Sequence, residues 1–78
     1  MRKQITQQGA IAARSANRMY DSGLQVFFDD IKSKEGKEVF ASTVLLRSLA
    51  NLSMVLNSND FNEQVDMLVK IAKEQAHG

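Results

Sequence analysis

Side chains able to do chemistry are sparse in this sequence, and their spacing limits what each can do. Four carboxylates, Asp29, Asp30, Glu35 and Glu38, lie close together along the chain. A fold that converged two of them would have the makings of general acid–base catalysis. Lys32, Lys34 and Lys37 are interleaved with them, however, and positions 32–38 hold no apolar side chain. A run of mixed charge without apolar anchors reads as a solvated connector. His77 is the sole histidine and stands next to last, where chain ends are poorly ordered, so it reads as a tail residue. No serine then has a well-placed base to activate it. The absence of cysteine removes thiolate nucleophiles, disulfides, iron–sulfur clusters and thiolate zinc sites together.

Two loop motifs also fail on inspection. Gly36-Lys37 resembles the end of a phosphate-binding loop, but Ile31 stands where its first glycine belongs and Glu38 where its hydroxyl belongs. Asp30 would open a calcium loop, yet Lys32 and Lys34 occupy ligand positions. Asn51-Leu52-Ser53 matches the glycosylation acceptor pattern but sits within an apolar helical stretch, with no leader pattern ahead of it. The expectation is a non-enzymatic chain with no catalytic residue, no metal site, no cofactor and no small-molecule substrate.

The bases are more suggestive. Net charge is +1, but residues 1–20 carry Arg2, Lys3, Arg14 and Arg18 and no acid, leaving residues 21–78 net acidic. Three readings follow. The four bases could contact phosphates of a nucleic acid, although they lack the density and aromatic interleaving of a strong footprint. The acid-free, amphipathic segment also has the character of a mitochondrial presequence. The favoured reading is a solvated face that meets acidic helices of a neighbour.

The elements that would position these residues are helical throughout. Proline is absent, so nothing forbids long uninterrupted helices. A stripe through Ile5, Gly9, Ala12, Ala16, Met19, Tyr20, Gly23, Phe27 and Ile31 recurs at steps of three and four. Gly9, Ala12 and Ala16 are small enough to admit another helix. Asp21-Ser22-Gly23 predicts a break or kink there, with Asp21 or Ser22 capping a second helix. Leu24 to Phe28 is compatible with helix or strand, and helix is favoured because no partner strand offers itself. Residues 32–38 predict a loop. From Val39 to Leu56 the chain is apolar on all sides of a helix, with Arg47 its only charge. A membrane span is disfavoured, since Arg47 and Asn51 lie inside that stretch. Asp60 with Glu63 has capping-box spacing for a last amphipathic helix.

These signals predict an all-α fold: one domain, a compact bundle of three or four helices at about 3–20, 22–34, 37–57 and 60–76, with residues 1–4 and 77–78 frayed and the third helix central. A chain this short hides only about 60–65% of its unfolded surface. The central helix therefore needs more cover than one chain supplies, which predicts a homo-oligomer, most simply a dimer. The expected oligomer or partner interface comprises Gly9, Ala12, Ala16, Phe27, Phe28, Val44, Leu45, Leu49, Leu52 and Val55. The predicted function is a protein–protein interaction module, an adaptor or small regulator or inhibitor, in a reducing, cytoplasmic compartment.

Overall fold

The computed structural model describes residues 6–77. They are helical and contain no strand, so the protein is all-α. The elements are α1 (Gln7–Met19), a π-helical turn (Tyr20–Leu24), α2 (Gln25–Asp30), α3 (Lys34–Val55) and α4 (Ser58–His77). Backbone contacts divide the chain into two units, Met1–Ala41 and Ser42–Gly78.

In the first unit, Thr6 is extended and caps α1, accepting the Gly9 N–H on Oγ1 at 3.0 Å. The irregularity expected at 21–23 takes the form of the π-helical turn rather than a stop followed by a capped second helix. Met19, Tyr20, Leu24 and Gln25 all keep right-handed helical dihedrals, and the Gln25 N–H donates to the Tyr20 carbonyl, five residues back. Ser22 does not cap forward; its hydroxyl donates back to the Arg18 carbonyl at 2.8 Å, a bond that belongs inside a helix. Leu24 to Phe28 is therefore helical, as favoured. The wide turn inserts one extra residue and moves the covered row along by one. Phe28, not Phe27, is half-buried, and Phe27 is 60% exposed.

The connector is shorter than the expected 32–38. Ile31 turns extended, and Ser33 caps α3 by accepting the Gly36 N–H at 2.9 Å. Lysine and glutamate are good helix formers, so once Ser33 starts the helix the polar run joins it. Gly36 is needed for closeness rather than for a left-handed turn: no glycine among the described residues has positive φ. A Cβ there would lie 2.7 Å from Ile31 Cγ2 and 2.9 Å from Ser33 Oγ.

In the second unit, the cap of α4 lies three residues earlier than expected. Asn57 Oδ1 accepts the Asp60 N–H at 2.8 Å, while Asn57 Nδ2 donates to Asp60 Oδ2 at 3.3 Å. Asn57 thus takes the capping place expected of Asp60, and Asp60 accepts a bond from its side-chain amide rather than from its backbone N–H.

No described side chain is buried. Val44, Leu49, Leu52, Leu56, Phe61 and Val65 are half-buried, and fifteen large apolar residues are exposed. The apolar centre of the sequence is one continuous helix, α3, without a covering on all sides.

Candidate interaction surface

The best-organised polar feature lies in the first unit, where α2 meets the start of α3. Lys37 Nζ donates to the Phe28 carbonyl at 2.8 Å and reaches the Asp29 carbonyl at 3.5 Å. The same ammonium lies 4.6 Å from the centroid of the Phe28 ring. A cation at the last carbonyls of a helix is stabilised by the helix dipole, and the ring face adds to it. Phe40 closes the corner, with its ring centroid 5.2 Å from that of Phe27 and 6.4 Å from that of Phe28. Both pairs are tilted, a favourable aromatic geometry. The arrangement holds a corner together and supplies no reacting group.

The four carboxylates do not converge on a site. Asp29 and Asp30 end α2, Glu35 and Glu38 begin α3, and all four are exposed. Asp29 accepts a hydrogen bond from Gln25 Nε2 at 3.0 Å on its own helix. Among the described residues, no group of three or more acidic or histidine side chains is placed to hold a metal ion. Two surface concavities are open to solvent. One, of about 500 Å³, is lined by Phe28, Lys34, Lys37, Glu38 and Ala41. The other, of about 580 Å³, is lined by α4 side chains alone: Asp66, Val69, Lys70, Lys73 and Glu74. Among the described residues, no helix is long and apolar enough to cross a membrane.

Comparison with protein-family models, curated proteins and solved structures finds no match to this chain.

The residues expected at an interface are distributed as follows. Gly9, Ala12 and Ala16 are exposed along one side of α1. Phe27 and Phe28 meet around Phe40. Val44, Leu49 and Leu52 are half-buried on α3, whereas Leu45 and Val55 are exposed. Arg14 and Arg18 are exposed one turn apart on α1, which has no acid in its first turn. Arg2 and Lys3 lie outside the described residues. The sequence reading missed Lys37 and Phe40, which matter only because the chain folds back at Ser33. It also passed over Leu46, Ala50 and Met54 in the second unit, whose spacing was open to view. Projected at 100° per residue, these three fall within about 80° of one another on α3, with Arg47 about 20° from Met54. Leu46 is 67% and Met54 80% exposed.

Proposed function

We propose that this chain is a small non-enzymatic helical protein–protein interaction module, a homo-oligomeric adaptor or regulator whose helices complete a bundle when they associate. The observation that carries this reading is the absence of any buried side chain among the described residues, beside fifteen exposed large apolar ones. Covering one Val, Leu, Ile, Phe or Met side chain contributes about 1.5–3 kcal/mol. Ordering the backbone costs about 1–2 kcal/mol per residue. Helices that leave so many apolar groups in water forgo much of the term that offsets this ordering, and association restores it. The lack of cysteine fits a reducing, cytoplasmic setting.

A second reading rests on α1. Arg14 and Arg18 are exposed on an acid-free helix, a placement that suits phosphate contacts with a nucleic acid. Native mass spectrometry on material purified from its own cell separates the two. We expect the chain to fly as a complex with protein, whether copies of itself or another chain. Recovery with nucleic acid at low salt favours the second reading. A bare monomer that also melts cooperatively at high dilution removes the interaction-module reading.

A further inference from the structure

We draw no further inference here: the strongest candidate, the exposed apolar face of α3 at Leu46, Ala50 and Met54 in the second unit, carries nothing because nothing in the structure shows what covers it.

Discussion

Gly23 and Gly36 show how far a residue's meaning depends on what stands beside it. In a helix interior, replacing glycine with alanine ordinarily stabilises by about 1 kcal/mol. Gly23 has nothing within 4 Å of the place an alanine methyl would take, so Gly23→Ala should follow that rule. At Gly36 the methyl would meet Ile31 Cγ2, whose β-branched side chain has little freedom to turn, and the Ser33 oxygen that caps α3. Gly36→Ala should therefore destabilise by about 1–2 kcal/mol, the clash outweighing the gain in propensity. Urea titration followed by circular dichroism checks both signs. Stabilisation by Gly36→Ala would show that the approach of Ile31 is not needed. Sequence alone places Gly23 at a break or kink and Gly36 in a loop; only the fold-back at Ser33 shows that Gly36 stands in a helix against a close neighbour.

For whole elements, the helices were legible because their signals are local. Apolar stripes at steps of three and four, the missing proline and the polar connector gave their number and type. What was not legible were the places where two local signals compete. Ser22 can cap forward or bond backward, and backward bonding to Arg18 keeps the first helix running through the π-helical turn. Asn57 and Asp60 can each cap α4, and Asn57 does so while pairing with Asp60. Asn57→Ala should cost about 1 kcal/mol and fray the first turn of α4, whereas Glu63→Ala should leave it intact. Amide exchange measured at Ser58–Phe61 reports this directly. Equal fraying in both variants would return the cap to the Asp60–Glu63 pair.

At the scale of the molecule, the exposed apolar residues were only partly legible. The sequence predicted that α3 needs cover, but an all-apolar helix gives periodicity nothing with which to rank its sides. It named Val44, Leu49 and Leu52, which are half-buried, and Leu45 and Val55, which are exposed, and passed over Leu46 and Met54, which are exposed as well. A molecule whose interior is completed by association has a stability tied to its concentration. Its thermal midpoint should rise by about 3–6 °C for each tenfold increase in protein. Scanning calorimetry at several concentrations checks this; a midpoint independent of concentration would mean that each chain closes its own core.

The π-helical turn gives the first helix a spare residue. Removing one position from Asp21-Ser22-Gly23 would not truncate that helix: the turn would relax to ordinary pitch while α2 keeps the face it now presents, with Phe28 still the half-buried ring. Tightening the turn without a deletion does the opposite, rotating α2 relative to α1 by about 100° and exchanging the roles of Phe27 and Phe28 without altering either side chain.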